Sequence, residues 1–392
     1  MKKILIILIM CVLLTGCAST QATSATTTAS TTTTEGTIPN GLEPLTAATD
    51  CEEAYIDGGW VCIWADEFSG TEVDLTKWTY EINGDGGGNQ ELQYYTDANA
   101  TVADGILSIT AKNESYLGKS YTSSRLNSKY KGDFQYVRVI ARAKMPTGVG
   151  TWPAIWMMPT MSEYGGWPDS GEIDIMEYVG YDPDVIHSTI HTERFNHMLG
   201  TQISYTKAVE NAETEYHDYQ LDWYPGHMVA YVDGVKIGEF NYAASFTDEY
   251  PYYECFPFDS PFYLILNLAV GGSWGGAEGV DPDAFPTALQ VDYVRVYKLD
   301  YATIDQTAPT TPEDIHLAEL ADTIYWDASD DDYGVEQYAI YVDGVLRDYS
   351  SLNQYTFTNL TAGNTYSIQI QAVDFVGRTS ELSGTLLFTF SG

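Results

Sequence analysis

Three carboxylates stand within six positions of the stretch GEIDIMEYVG (171–180): Glu172, Asp174 and Glu177. Like charges this close repel, which pushes at least one pKa upward. Two carboxyls with pKa values driven apart are what cleavage of a glycosidic bond uses, one ionised to attack the sugar carbon and one protonated to donate to the leaving oxygen. A helix would scatter the acids, with Asp174 about 200° and Glu177 about 140° round from Glu172. In a regular strand Glu172 and Asp174 share a face and Glu177 takes the other. A β-bulge after Asp174 corrects the parity: all three acids then face one side, Ile173 and Ile175 face the core, and Met176 is the extra residue. Retaining glycosidases hold their two carboxyls about 5–5.5 Å apart, a spacing that two long Glu side chains on one strand can approach. The shorter Asp174 suits a supporting role, hydrogen-bonding a Glu and tuning its charge. Two blander readings compete, a solvated acidic edge and a cation site, although Ile173, Ile175 and Met176 offer a cation no oxygen ligands.

A polysaccharide cleft also needs flat apolar platforms with polar edges. Trp152 and Trp156 share strand parity close to the acids, Trp167 precedes Glu172 on a Gly/Pro-rich loop, and Trp274 follows Gly271-Gly272. Each is a candidate sugar contact, against the alternative of a core tryptophan. His187 and His191 in HSTIHT have i, i+4 spacing, and a zinc reading would add His197 and Glu193. Thr189 and Ile190 favour a strand instead, on which both histidines share a face. NGDGGGN (83–89) lacks the acid spacing of an EF-hand and reads as a turn or cleft loop.

GEIDIME resembles the bulged Glu-x-Asp-x-x-Glu signature of glycoside hydrolase family 16. GNQELQYYT (88–96), SSRLNSK (123–129), GTWPAIWMMP (150–159), HSTIHT (187–192), YHDYQLDWYPGHMVAYVDG (216–234), FYLILNLAVGG (262–272) and VDYVRVY (291–297) resemble that family's other blocks, in its order. They look most like its endo-β-1,3-glucanase branch, the laminarinases. The resemblance implies Glu172 as nucleophile, Asp174 as its assistant and Glu177 as acid/base, in retaining hydrolysis through a glycosyl-enzyme intermediate. It implies a β-glucan substrate and chemistry that requires no cofactor. It further places His191 in the cleft beside the acid/base and Asn89, Glu91 and Arg125 near the substrate, Arg125 having the alternative of an ion pair in the wall. One structural calcium on the convex face, with Asp292 as a ligand, is the last implication. The non-catalytic alternative is a carbohydrate-binding surface protein; within enzymes, mixed-linkage β-glucan and galactan are the competing substrates.

These residues need a scaffold that presents strands side by side. Many short alternating stretches, among them Ile106–Ala111, Tyr136–Ala143, Ile186–His191, Tyr219–Trp223, Met228–Val232, Tyr263–Val270 and Val291–Tyr297, are separated by Gly, Asn, Asp and Pro clusters. Strand periodicity over residues 43–300 predicts an all-β jelly-roll sandwich with a concave cleft. Asp233-Gly234 in YVDGVKIGEF reads as a two-residue hairpin turn. DQTAPTTP lies in a linker at 301–312, and residues 313–392 restart as a small immunoglobulin-like β-sandwich with Trp326 as core anchor. The stretch NLTAGNTYSIQIQAVDFVGRTS resembles the later strands of a fibronectin type III domain, with Tyr366 at its tyrosine corner.

The chain has 392 residues, with 18 Lys and Arg against 55 Asp and Glu and a formal net charge of −37. That charge disfavours nucleic acid and anionic membrane surfaces as partners, and biases against sulfated substrates. Lys2 and Lys3 precede an apolar run from Ile4 to Leu14, too short to span a bilayer, ending in Leu14-Thr15-Gly16-Cys17. Residues 1–16 thus resemble a bacterial lipoprotein signal, with Cys17 as the lipidated first residue anchoring an exported protein to the cell envelope. Residues 17–42, rich in Ser and Thr, read as a tether. In an oxidising compartment Cys51 and Cys62 can close a short loop, leaving Cys255 as a lone thiol, although sequence alone leaves the pairing open.

Overall fold

The computed structural model describes residues 45–241, 251–317, 322–358 and 360–390. The signal, Cys17 and the tether lie outside the described residues. Two antiparallel layers form the body. One runs, edge to edge, through Ile203–Ala208, Val185–His191, Glu172–Glu177, Thr151–Pro159, Phe262–Val270, Arg125–Asn127 and Thr79–Tyr80. The other is centred on Thr287–Leu299, which bonds Arg138–Lys144, Trp60–Asp66 and Ile106–Tyr116. Alternation explains the layering. Ile155, Met157, Ile173, Ile190, Leu264, Leu266 and Leu268 point inward from the first sheet and meet Leu107, Ile109, Val139, Ala141, Leu221 and Val294 from the second. Burial of these side chains, about 25 cal/mol per Å² of apolar surface, holds the layers together. Residues of the opposite parity in the first sheet, including Trp152, Ala154 and Trp156, face the concave side of this jelly-roll sandwich.

Each predicted stretch lies inside a strand except Tyr136–Ala143, which starts at Arg138. Tyr136 has φ of 53°, outside the extended region, so the pleat begins after it. Asp233 and Gly234 both have positive φ between the paired Val232 and Val235, the geometry of a type I′ hairpin.

Beyond residue 312 a three-stranded sheet (Glu313–Leu317, Thr323–Asp327, Gln354–Thr356) accompanies a four-stranded one (Val345–Ser350, Val335–Val342, Thr365–Asp374, Leu386–Thr389). Ile324, Trp326, Ile340, Ile368, Ile370 and Phe388 form the core between them. The segment read as a linker begins otherwise: Tyr301–Ile304 is a short helix, and Tyr301 is buried, stacked on Phe375 at 4.4 Å. Tyr301 shares an apolar cluster with Trp60, Tyr297 and Val376, so its aromatic surface makes this stretch a packed joint. Cys51 and Cys62 form a disulfide, and Cys255 is a buried thiol.

Candidate active site

The strand Glu172–Glu177 carries the predicted kink. Against Val185–His191, Asp174 pairs Thr189 and Glu177 pairs His187, three steps on one strand for two on its neighbour. Against Thr151–Pro159, Met176 pairs Ile155 and Asp174 pairs Trp156. The unpaired residue is therefore Ile175, in place of the expected Met176. The reason is packing: a bulge turns two consecutive side chains to one side, and both Ile175 and Met176 go into the core, 1% and 0% exposed. Gly171 delivers the chain into this strand at φ 85°, where a Cβ would meet the Phe258 ring at 2.8 Å.

Glu172 and Glu177 both line a cavity of about 390 Å³. Trp167 Nε1 donates to Glu172 Oε2 at 2.6 Å, and Trp152 Nε1 donates to Glu177 Oε1 at 3.0 Å. Asp174 is buried between them, its Oδ2 3.4 Å from His191 Nε2. All three acids hold their protons more tightly than usual. Burial, aided by the Asp174 charge, pushes Glu172 up to about 8. Burial also pushes Glu177 up to about 7, against the Trp152 hydrogen bond. Asp174 is raised well above the ordinary carboxyl value, by burial first and the Glu177 charge second. A row of carboxyls that titrates near neutrality can hold one proton and one charge at once, the condition for paired acid and nucleophile work.

Trp152 and Trp274 stand edge to face at 5.5 Å on the cavity wall, and His187 packs against Trp274 at 4.9 Å. Gly275 permits this approach, since a Cβ there would lie 2.7 Å from both Gly271 O and Trp152 Cβ. Asn89 also lines the cavity, its carbonyl accepting from Ser273 N. Trp167 is 40% exposed beside His197, with ring centroids 5.0 Å apart.

The placement of five expected site residues is corrected or narrowed. His191 lines the cavity with Glu177, but the register sets it opposite Glu172, with Nε2 3.9 Å from Glu172 Oε1, and His187 is the histidine paired with Glu177. Glu91 is buried beneath the wall, its carboxylate accepting from Gln93 Nε2 at 2.6 Å, Tyr95 Oη at 3.1 Å and Asn89 Nδ2 at 3.4 Å, so it braces the cleft. Arg125 pairs with Glu81 at 3.0 Å and lies over Trp156 at 4.7 Å, while Trp156 Nε1 donates to Asn267. Both are concave-face wall residues outside the cavity. Asp292 faces Arg142, whose Nε is 3.2 Å away, and the same guanidinium reaches Asp218 at 3.5 Å. Asp292 thus has a guanidinium as its partner, and among the described residues it belongs to no converging set of acid, His or Cys ligands, so these side chains do not fit calcium.

Among the described residues at the cleft, the metal-capable set that converges is Glu172, Asp174 and His191, with one ligand atom of each within 4.8 Å of the others; His187 and Glu193 are outside it. Sequence reasoning missed Thr189, Ser204, Gln202 and Ser273, which also line the cavity. Parity could have found two of them: Thr189 pairs Asp174 and Ser204 pairs Thr189, so all three share the concave face.

Residues 88–303 match the family model of the glycosyl hydrolases family 16. The chain is 49% identical over 245 residues to a beta-glucanase of Rhodothermus marinus, covering 61% of this chain and 85% of the relative. It is also 37% identical to a glucan endo-1,3-beta-glucosidase of Cryptopygus antarcticus, covering 62% and 93%. Among solved structures, the laminarinase from Rhodothermus marinus aligns with TM-score 0.59 and 48% identity, covering 61% of this chain and 97% of the other. A non-specific endo-beta-1,3(4)-glucanase solved with a glucan oligosaccharide aligns with TM-score 0.57 and 40% identity, covering 65% and 98%. With the acid row, the cleft and these likenesses together, the chain belongs to glycosyl hydrolases family 16 and is a glycosidase that hydrolyses O-glycosyl bonds.

Proposed function

We propose that the protein is an endo-acting, retaining β-1,3-glucanase, exported and held at a bacterial cell envelope by lipid on Cys17. The observation that carries the reading is the bulge at Ile175, which sets Glu172 and Glu177 on one face above one cavity. Relatives named for β-1,3-glucan cleavage support the substrate.

In the proposed sequence the Glu172 carboxylate attacks the anomeric carbon while Glu177 gives its proton to the departing glycosidic oxygen. Water, losing a proton to Glu177, then displaces Glu172 and releases the sugar with its original configuration. Two groups favour the charged form of Glu172, the Trp167 N–H by a hydrogen bond and the His191 ring, 3.9 Å away, electrostatically. Burial raises Asp174 well above the ordinary carboxyl value, and whenever Asp174 holds a proton it no longer repels charge on Glu172 and leaves the nucleophile easier to ionise. Trp152 orients the acid/base from the other end of the row. The edge-to-face Trp152 and Trp274 offer apolar surface to a sugar ring. Because Glu172, Asp174 and His191 could grip a cation, activity that survives a chelator is part of the reading.

The C-terminal sandwich is read as fibronectin type III-like. Three strands accompany four, and the Tyr366 hydroxyl accepts from Thr361 N at 3.0 Å, in the manner of a tyrosine corner.

Proton NMR of laminarin digestion tests the mechanism. The first reducing ends should appear as the β-anomer; an initial α-anomer removes retention. Comparing laminarin with mixed-linkage β-glucan and agar tests the substrate, and faster cleavage of agar would overturn it.

A further inference from the structure

A second group of acids shares no residue with the cleft. Asp305 follows the short helix Tyr301–Ile304, Asp331 sits in the loop before Val335–Val342, and Asp374 ends Thr365–Asp374. One carboxylate oxygen of each lies within 4.8 Å of the other two. The Asp305 and Asp374 side chains are both 0% exposed. Each acid uses one oxygen on backbone N–H groups. Asp374 Oδ1 accepts from Val376 N at 2.9 Å and Arg378 N at 2.7 Å. Asp331 Oδ2 accepts from Tyr333 N at 3.0 Å, and Asp305 Oδ1 from Thr307 N at 3.3 Å. The other oxygen of each, Asp305 Oδ2, Asp331 Oδ1 and Asp374 Oδ2, is buried and accepts no hydrogen bond.

Arg378 answers only part of this charge. Its Nη1 donates to Asp305 Oδ1 at 3.2 Å but stands 3.8 Å from Asp374 Oδ2, beyond hydrogen-bond reach. Three carboxylates therefore face one guanidinium, and Glu336 adds a further acid within the field of Asp374. A buried carboxylate oxygen without a partner is strongly unfavourable unless an ion or donor meets it. Oxygens arranged round Ca²⁺ at about 2.3–2.6 Å stand no more than about 5 Å apart, which matches this cluster. An all-oxygen, carboxylate-rich set selects a hard cation over zinc or copper.

We propose that Asp305, Asp331 and Asp374 bind one calcium ion, which ties the end of the jelly-roll domain to two loops of the C-terminal sandwich. The segment it fixes is already held by the Tyr301–Phe375 stack and by Thr307 Oγ1 donating to Asp332.

The test uses the whole protein, stripped with EDTA, dialysed, and titrated with CaCl₂ by calorimetry and by thermal unfolding. The stripped wild type should bind calcium and gain several degrees in Tm. Asp331→Asn, at the least buried of the three positions, should weaken that binding at least tenfold and abolish the Tm gain, with laminarin hydrolysis unchanged. Absence of calcium binding by the wild type overturns the proposal without any variant being needed. Unchanged binding by a folded Asp331→Asn also overturns it, because the ion would then sit elsewhere.

Discussion

The cleft row and the junction cluster each gather three buried acids, yet by opposite routes. Glu172, Asp174 and Glu177 come from one strand, and a single extra residue brings them to one face. Asp305, Asp331 and Asp374 come from three segments that meet only in the folded chain. In the row, neutral donors reach the two glutamates from the side: Trp152 and Trp167 each give one N–H, an open cavity lies in front, and Asp174 Oδ2 is the single carboxylate oxygen of the row left buried without a hydrogen bond. In the cluster, backbone N–H groups and Arg378 close around the acids, and each is left with one buried oxygen that accepts nothing. Similar charge density thus serves two ends. Where a cavity and hydrogen-bond donors face the acids, their shared proton is available for chemistry. Where the protein seals them in, the charge asks for an ion.

The largest effect expected on the row comes from breaking its geometry. Deleting Ile175 restores an unbroken pleat and turns Glu177 toward the core, so laminarin cleavage should fall as far as in Glu177→Ala, by roughly 10²–10⁴ or more. Glu172→Ala should be at least as damaging. Circular dichroism would check that the variants keep their sheets, and retained activity in either Ala variant would remove the assigned roles. The same deletion logic has no counterpart at the junction, where no single strand sets the spacing.

Next in size is the loss of a donor. Trp167→Phe removes the hydrogen bond to Glu172 Oε2, and a hydrogen bond to a charged group contributes about 1.5–3 kcal/mol. Activity should drop by about tenfold or more. Since that bond favours the ionised form of Glu172, its removal raises the Glu172 pKa and moves the limb of the kcat/KM profile that Glu172 governs to higher pH. Asp174→Asn should move the limb the other way, because the Asp174 charge is among the causes holding Glu172 up. In the wild type, with Glu177 near 7 and Glu172 near 8, the single proton of the pair rests mainly on Glu172, so the reactive form, Glu172 ionised and Glu177 protonated, is the minor singly protonated species; it rises and falls with that state, and activity should drop on both sides of those values. A pH profile with its acid limb near the ordinary Glu value would contradict the burial argument.

How much of this was legible before folding follows from the same contrast. The parity break at Glu177 could be read because strand geometry is local, and so could the alternating strands and the Asp233-Gly234 turn. Which of two apolar residues bulges could not, since Ile175 and Met176 fit the same core and only the register against Thr151–Pro159 decides. The resemblance put His191 in the cleft, which it lines, but only the register shows that it stands opposite Glu172. The resemblance put Glu91 and Arg125 near the substrate, with a wall ion pair as the alternative for Arg125; Gln93 and Tyr95 satisfy Glu91 within the wall, and Glu81 realises the Arg125 alternative. The junction acids left no trace in spacing at all, for their proximity is created by the packing of Tyr301 against Phe375 and the turn at Asp374.

The smallest predicted effect is on stability, and it separates the two acid groups most sharply. The folded state raises Glu177 from 4.5 to about 7. Below pH 4.5 the residue is protonated whether the chain is folded or not, and it contributes nothing either way. Between about 4.5 and 7 the folded chain holds a proton that the unfolded chain has lost, so stability falls as pH rises, and above about 7 the full penalty is in place. Glu177→Gln removes that penalty, on the order of 1–3 kcal/mol. The variant should therefore unfold several degrees above the wild type at pH 8 and at nearly the same temperature at pH 4, at roughly 2–4 °C per kcal/mol. Asp331→Asn should lack this gain at pH 8 when calcium is present, because it removes a ligand. A Glu177→Gln variant no more stable than wild type at pH 8 would mean that the cleft bears its charge without strain, and the contrast between an acid row held ready for a proton and an acid cluster held ready for an ion would fail at its first member.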